Sequence, residues 1–470
     1  MTSYQSVQTK QTSASGQAHI IQNDAEALEI AKQFAEQFKK TAVERDSKRI
    51  LPYTEIDALS QSGLWAITVP KQYGGAEVSS HTVAKVIALL SGADGSIGQI
   101  PQNHFYALEV LRNTGTEAQK QRLYGEVLNG TRFGNALAEF KTKTSTHKQT
   151  NIRPHENGYL IQGEKFYCTG SLFAHRIPTL VLDDAGREYL AFVKSGSQGL
   201  KLVDDWSGFG QKTTGSGTVK FDQVFVDADD VIPFDTAFLQ PTLVLDDAGR
   251  EYLAFVKSGS QGLKLVDDWS GFGQKTTGSG TVKFDQVFVE ADDVIPFDTA
   301  FLQPTLVGPF AQIMHASIEV GIARGAFEES LQRVHQARPW IDSNVETANQ
   351  DPLTIYELGR IAVDVRASEV LLKQAAQSID AAKIETTPES IAKASIDVAK
   401  VRAHSSDTAL KASSKLIELA GSRGSQSQDG LDRFWRNARV HTLHDAARWK
   451  YYFIGNYVLN GVLPPRRGTL

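Results

Sequence analysis

Few side chains in this 470-residue sequence are placed for chemistry, and several common chemistries are missing. A single cysteine, Cys168, leaves no intrachain disulfide and no cysteine-cluster metal site. No His-x-x-x-His pair with an adjoining acid lies on a helical pattern, so zinc hydrolysis is not expected. Gly215-Ser216-Gly217 is too short for the Gly-x-Ser-x-Gly elbow of a serine nucleophile. Gly208-Phe-Gly210 and Gly215-Ser-Gly217 precede a strand pattern rather than a helix, so the dinucleotide fingerprint fails. What remains is a set of histidines. His104 follows Asn103 at the head of a helical pattern, and His441-Thr-Leu-His444 runs into Asp445. A neutral imidazole such as His104 can hydrogen-bond an oxygen intermediate. Taken singly, each histidine also reads as a satisfied core or helix-surface residue.

The elements that must position these residues change character twice. Asn23 or Asp24 can cap a helix with Ala27, Ile30, Ala31, Phe34 and Phe38 on one face. Further helices are expected over Tyr53–Ser62, His81–Leu90, Asn103–Asn113 and Thr116–Leu128, the last with a Thr116/Gln119 capping pair. Near Thr131 the pattern turns to alternation with turn signals. Asn157-Gly158 marks a hairpin between Asn151–Pro154 and Tyr159–Cys168, and Leu180–Leu182 pairs with Tyr189–Val193. Thr218–Val226 reads as a longer strand. From Gly308 the 3.6-residue period returns, with helices over 309–336, 353–380, 389–420 and 430–459. The fold class is α+β. Its expected parts are a tail (1–22), an N-terminal helical domain (23–132), a middle β domain (133–306) and a C-terminal helical bundle (307–470).

The β region repeats itself. Residues 178–240 recur as 241–303, offset by 63, and differ only at Asp227, which becomes Glu290. Repeat architectures are built from three or more diverged units, so this pair reads as a recent tandem duplication or an assembly artefact. Two identical sets of strands compete for one place in a sheet, and the loser is left with unpaired edges. Trp206/Trp269, Thr213/Thr276 and Ser216/Ser279 are equivalent pairs. The second copy is favoured for the functional position because it runs directly into the C-terminal helices.

Composition limits the partners. A formal net charge of −5 gives no general attraction to nucleic acid or an anionic membrane. Residues 1–18 lack the apolar run of a signal peptide, and no stretch has the apolar length of a membrane helix. A cytoplasmic protein is expected. Cys168, Met314 and the initiator Met1 are its only sulfur-containing residues, which fits synthesis under sulfur scarcity.

Several segments resemble the acyl-CoA dehydrogenase superfamily. They are Val69-Pro-Lys-Gln-Tyr-Gly-Gly75, Gly163-Glu-Lys-Phe-Tyr-Cys-Thr-Gly170, Gly217-Thr-Val-Lys-Phe-Asp-Gln-Val-Phe-Val226 and Arg436-Asn-Ala-Arg439. A second group is similar to the sulfur-acquisition (SfnB-type) oxidoreductase branch, related to dibenzothiophene monooxygenase. It comprises Pro101-Gln-Asn-His-Phe105, Phe166-Tyr-Cys-Thr-Gly-Ser-Leu-Phe-Ala-His175, Asp205-Trp-Ser-Gly-Phe-Gly210 and Arg439-Val-His-Thr-Leu-His-Asp445. The resemblance covers roughly residues 25–460 apart from the extra 63. It implies a homotetrameric monooxygenase that takes reduced flavin from a separate flavin reductase and, with O2, oxygenates a small organosulfur compound.

The same resemblance assigns roles. Asp445 stands where many dehydrogenases carry the glutamate base that removes an α-proton, but it is one methylene shorter. His444 and His441 fit hydrogen bonding to an oxygenated flavin or orientation of substrate. His104 is expected to line the substrate side. Tyr167, Thr169 and Ser171 run beside the isoalloxazine, where a hydroxyl or N–H stabilises negative charge on reduced flavin. Ala138 replaces a threonine of the neighbouring family strand, leaving only its backbone to help. Arg338-Pro-Trp340 and Gly421-Ser-Arg-Gly424 stand where dehydrogenases hold the FAD pyrophosphate. With Arg423 and backbone amides the second can wrap a phosphate, and the pattern fits FMN at least as well as FAD. Two other readings remain: an acyl-CoA dehydrogenase with bound FAD and Asp445 as base, and a flavin-binding relic disabled by the repeat.

Overall fold

The computed structural model describes residues 18–138, 150–155, 157–186, 188–205, 210–233 and 305–465, with strand segments only between 244 and 296. Six helices come first: α1 (Asp24–Lys39), α2 (Ala42–Lys48), α3 (Tyr53–Gln61), α4 (Ser80–Ala93), α5 (Ile100–Thr114) and α6 (Glu117–Leu128). The Asn23 side chain accepts from the Glu26 N–H, and Ala27, Ala31 and Phe38 turn into the core. At α6 the Thr116/Gln119 capping box closes in both directions. Residues 18–22, expected in the tail, pack against the helical domain. Ala18 and Ile21 are buried, and the His19 N–H donates to the Gln61 carbonyl at 2.9 Å. Gly63 permits this approach, since a Cβ there would lie 2.1 Å from the His19 oxygen. Helix α5 starts at Ile100 with Pro101 in its first turn, so His104 sits inside the helix rather than at its head.

The strands are β1 (Asn151–His155), β2 (Gly158–Cys168), β3 (Arg176–Gly186), β4 (Glu188–Lys194), β5 (Leu200–Val203), β6 (Gly217–Asp227) and β7 (Val231–Pro233). The second copy adds β8 (Val244–Leu245), β9 (Arg250–Val256), β10 (Leu263–Val266), β11 (Thr281–Asp285), β12 (Val287–Glu290) and β13 (Val294–Pro296). Among the described residues they join into one connected sheet. The expected β1–β2 hairpin forms, but His155 pairs with Gly158, so Gly158 opens β2 instead of completing the turn after Asn157. The copies contend for the same partners. Strand β2 pairs with β6 of the first copy at Gly163↔Phe221 and with β12 of the second at Ile161↔Val287. Strand β3 pairs with β4 at Arg176↔Lys194 and with β9 at Ile177↔Val256.

Five helices follow: α7 (Val307–Gln336), α8 (Pro352–Ile384), α9 (Pro388–Leu419), α10 (Asp432–His441) and α11 (Ala447–Asn460). The single helix expected over 430–459 is thus two, and the break at 442–446 holds His444 and Asp445. None of the described helices is long and apolar enough to cross a membrane. Helix α4 crosses α7 at glycines: a Cβ on Gly325 would stand 2.3 Å from the Gly92 carbonyl oxygen. Ion pairs tie the layers together. Arg176 reaches Glu126 on α6 at 2.5 Å and Asp230 before β7 at 2.6 Å. Arg436 on α10 reaches Asp46 on α2 at 2.5 Å.

Candidate functional site

The first half of the site is the end of β2. Its ladder with β6 runs regularly from Gly163↔Phe221 to Lys165↔Val219, then shifts before Cys168↔Gly217. At the shift Tyr167 adopts φ 59° and, just beyond, Gly170 adopts φ 75°. Such a bulge re-aims the chain away from its neighbour. Thr169 and Ser171 follow it, both buried. The Ser216 hydroxyl donates to Thr169 Oγ1 at 3.1 Å, and Thr214 and Ser216 share a bond of 2.7 Å. Ser171 Oγ has no hydrogen-bond partner among the described residues. A buried hydroxyl left unsatisfied costs about 1–3 kcal/mol, so the position calls for a ligand acceptor or donor. Tyr167 is half-buried, and the Ala138 carbonyl accepts from the Phe166 N–H at 2.8 Å.

These hydroxyls come from the first copy, not the second. Thr213, Thr214 and Ser216 precede β6, which reaches β2 directly after the β domain's first hairpins. Continuity with the C-terminal helices, the basis for favouring the second copy, does not decide the placement. Trp206, Trp269, Thr276 and Ser279 lie outside the described residues.

The second half is a buried polar box around the α10–α11 break. The Gln211 N–H donates to Asn437 Oδ1, and the Gln211 amide donates to the Gly95 carbonyl at 3.2 Å. Asn437 and His441 lie four apart on α10 and so share a face. Helix α10 therefore links the β-domain edge to the box. His441 Nδ1 lies 3.1 Å from Glu319 Oε1, and His441 Nε2 lies 3.1 Å from His315 Nδ1. The His315 and His444 rings are 4.1 Å apart. Glu319 pairs with Arg402 and accepts from Ser405 and Ser406, each at 2.9 Å. Asp445 is met by Arg402 at 3.6 Å, Lys450 at 3.7 Å and His444 at 3.7 Å.

Charge and burial set the protonation states. Burial alone would raise the Glu319 carboxyl, but Arg402 and the His441 hydrogen bond bring it down to about 2. Burial would likewise raise Asp445; His444, Lys450 and Arg402 hold it well below the carboxylate range. Burial pushes the Lys450 ammonium down to about 8, with Asp445 acting in opposition. His315 is pushed far down by burial and by His444, His441 and Arg402. His441 is also lowered by burial, against the pull of Glu319. Asp445 is therefore a carboxylate enclosed by cations, a poor acceptor for an α-proton. Burial raises the Cys168 thiol well above its ordinary value, so it is no nucleophile.

The structure gives His104 a different setting from the expected substrate-facing one. Its Nε2 lies 2.7 Å from the Trp65 carbonyl, and its Nδ1 accepts from the Phe133 N–H at 3.0 Å. Both ring nitrogens are used by backbone, so none remains for an oxygen intermediate. Burial brings this imidazole down to about 3, with the Trp65 carbonyl opposing. Ile100, one turn earlier on α5, lies beside Gly170. Arg338, Gly421 and Arg423 are exposed, Arg338 beyond α7 and the other two beyond α9. No hydrogen bond joins them to Thr169 or Ser171 among the described residues. His315, Glu319, Arg402 and Lys450 were not anticipated. Their signal is polar residues at heptad-like spacing on buried helix faces: Gln312, His315 and Glu319 on α7, and Arg402, Ser405 and Ser406 on α9.

Known proteins share this architecture. Residues 23–131 match the acyl-CoA dehydrogenase N-terminal domain, and residues 313–449 match the acyl-CoA dehydrogenase C-terminal domain. A dibenzothiophene monooxygenase of Mycolicibacterium goodii is 30% identical over 449 residues, 93% of this chain and 94% of that protein. The "probable FMNH2-dependent monooxygenase SfnC" of Pseudomonas putida is 27% identical over 450 residues, 93% of this chain and 96% of that protein. The crystal structure of FMN-bound TdsC from Paenibacillus sp. A11-2 superposes with a TM-score of 0.76 at 26% identity. It covers 93% of this chain and 98% of TdsC.

Proposed function

Because this chain belongs to the acyl-CoA dehydrogenase superfamily, we propose that it is a monooxygenase that uses reduced FMN and O2 to oxygenate a small organosulfur compound in sulfur acquisition. The observation that carries the reading is the pairing of an unsatisfied buried Ser171 hydroxyl with an Asp445 enclosed by cations. The first suits a flavin edge. The second is unsuited to the proton abstraction of a dehydrogenase. Relatives named as dibenzothiophene and FMNH2-dependent monooxygenases support the same chemistry.

The residues fit the flavin. Thr169, Ser171 and the Tyr167 backbone at the bulge would contact its ring, with the Ala138 segment alongside. Arg338, Gly421 and Arg423 would serve the phosphate, completed by a neighbouring subunit. Bound reduced FMN supplies the electrons that activate dioxygen. The chain's own residues orient the substrate and hold protons. His444, half-exposed at the helix break, contacts substrate. Asp445 stands beside it, and His441 steadies it from behind through the His315 ring. A flavin reductase would deliver the reduced FMN.

A homotetramer is supported by apolar side chains left on the surface of α8 (Leu353, Ile355, Tyr356, Val363) and α11 (Trp449, Tyr451, Tyr452, Leu459). The 63-residue repeat is read as a tandem duplication whose first copy serves the site. Mixing chemically reduced FMN, O2 and dibenzothiophene with wild-type protein and His444→Ala tests the assignment. Wild type is expected to couple flavin oxidation to oxygenated product, and His444→Ala to lose that coupling. Equal coupling in the variant would refute the role of His444.

A further inference from the structure

The flavin-facing hydroxyls account for one side of the site. The buried polar box has an order that the proposed reaction does not yet use. From solvent to core the stack runs His444, His315, His441, Glu319. His444 has a side-chain exposure of 49%, His315 is 3% exposed, and His441 and Glu319 are at 0%. The four come from three elements: α7 gives His315 and Glu319, α10 gives His441, and the loop before α11 gives His444.

Hydrogen-bond logic fixes the tautomers in this column. A carboxylate only accepts, so His441 must donate Nδ1–H to Glu319 Oε1. A neutral His441 then has Nε2 free only as an acceptor. The atom facing it at 3.1 Å is His315 Nδ1, which must donate. A neutral His315 is left with Nε2 as an acceptor, and its ring face lies against His444 at 4.1 Å. Both imidazoles are neutral because burial disfavours their charge. Around His315 stand His444, His441 and Arg402, which oppose protonation, and Asp445, which favours it. Arg402 closes the column from below by pairing with Glu319, and Lys450 flanks it from α11 through Gln312 at 3.2 Å.

We propose that Glu319, His441 and His315 form a tautomer-fixing relay that holds the His315 ring in one orientation and so seats the His444 ring against it. His315 and Glu319 are positioning residues for His444. The inference rests on the monooxygenase reading, in which His444 contacts the substrate. The logic is that of a carboxylate that orients an imidazole without itself taking the proton, lengthened by one ring.

Two substitutions separate the parts. His315→Asn keeps an N–H donor for His441 but loses the ring and Nε2. His315→Phe keeps a ring against His444 but loses both nitrogens. Each protein is assayed with reduced FMN, O2 and dibenzothiophene for kcat, KM and product formed per FMN oxidised. Oxidised FMN binding by fluorescence and Tm against pH are measured on the same samples. In both variants kcat and coupling are expected to fall tenfold or more, while KM and FMN affinity stay within about threefold. Without flavin, the fall of Tm between pH 7 and 5 is expected to be shallower in His315→Phe, because one buried neutral imidazole is gone. Unchanged kcat and coupling in either variant would overturn the proposal. So would a parallel loss of Tm, FMN binding and KM, which marks a packing role only. Should wild type oxygenate nothing, the monooxygenase reading fails by itself. An unaltered Tm–pH slope would be the separate failure of the relay.

Discussion

Arg402→Met removes the one guanidinium that touches both carboxylates of the box. Arg402 is 1% exposed and Glu319 fully buried, so the pair is shielded from solvent screening. After the substitution Glu319 keeps two serine hydroxyls and the His441 N–H but no cation, and Asp445 keeps Lys450 and His444. Leaving a buried charge without its partner costs about 3–5 kcal/mol. If the C-terminal helices unfold as a unit of their own size, Tm falls by about 6–20 °C. Adding Glu319→Gln removes the stranded charge while keeping an acceptor for His441, so the double variant should recover much of the loss. The assay is thermal and urea unfolding of wild type, both single variants and the double variant. A coupling energy above about 1.5 kcal/mol is expected, within the range of contacting residues. A Tm change below about 2 °C in Arg402→Met, or strict additivity in the double variant, would refute the reasoning.

Other consequences follow from the same geometry. Ser171→Ala should leave Tm unchanged or slightly raised, because an unsatisfied hydroxyl is removed, yet weaken FMN binding in a fluorescence titration; unaltered binding would remove Ser171 from the flavin edge. His104 is neutral when folded, with a pKa near 3 against 6.5. The unfolded chain therefore takes up the proton first, and stability present above pH 6.5 is lost as pH falls toward 3. The loss reaches about 2 kcal/mol by pH 5; urea midpoints of wild type and His104→Gln at pH 7 and pH 5 should show a shallower fall in the variant. Gly325→Ala drives a methyl group onto the Gly92 carbonyl and should cost about 1–3 kcal/mol in Tm measurements. Deleting residues 241–303 removes the rival strands for β2 and β3, so FMN binding should persist and Tm should not fall; lost binding would mean that the second copy serves the site.

The order of helices, strands and helices was legible because it is written in local periodicity and caps. Asn23, the Thr116/Gln119 box and the Asn157-Gly158 turn act within a few residues of themselves. The break between α10 and α11 was not legible, because residues 442–446 hold no Gly or Pro and Asp445 meets Arg402 and Lys450 only in the folded chain. His104 was placed in the right helix but with the wrong surroundings, since its partners Trp65 and Phe133 are 39 and 29 residues away. His315, Glu319 and Arg402 belong to spaced polar sets on α7 and α9, but only the bundle shows that the two sets converge. Two copies that differ only at Asp227/Glu290 give no sequence ground for choosing between them. The register of β6 on β2 sets Ser216 of the first copy beside Thr169.

The central claim is that this chain inserts an oxygen atom from O2 into an organosulfur compound. The most direct measurement supplies chemically reduced FMN and 18O2 with dibenzothiophene to the purified protein and reads the product by mass spectrometry. Protein-dependent product carrying 18O is expected, with yield tied to FMN consumed. Protein that yields no labelled product, and whose bound flavin is instead bleached by an acyl-CoA without oxygen, would contradict it.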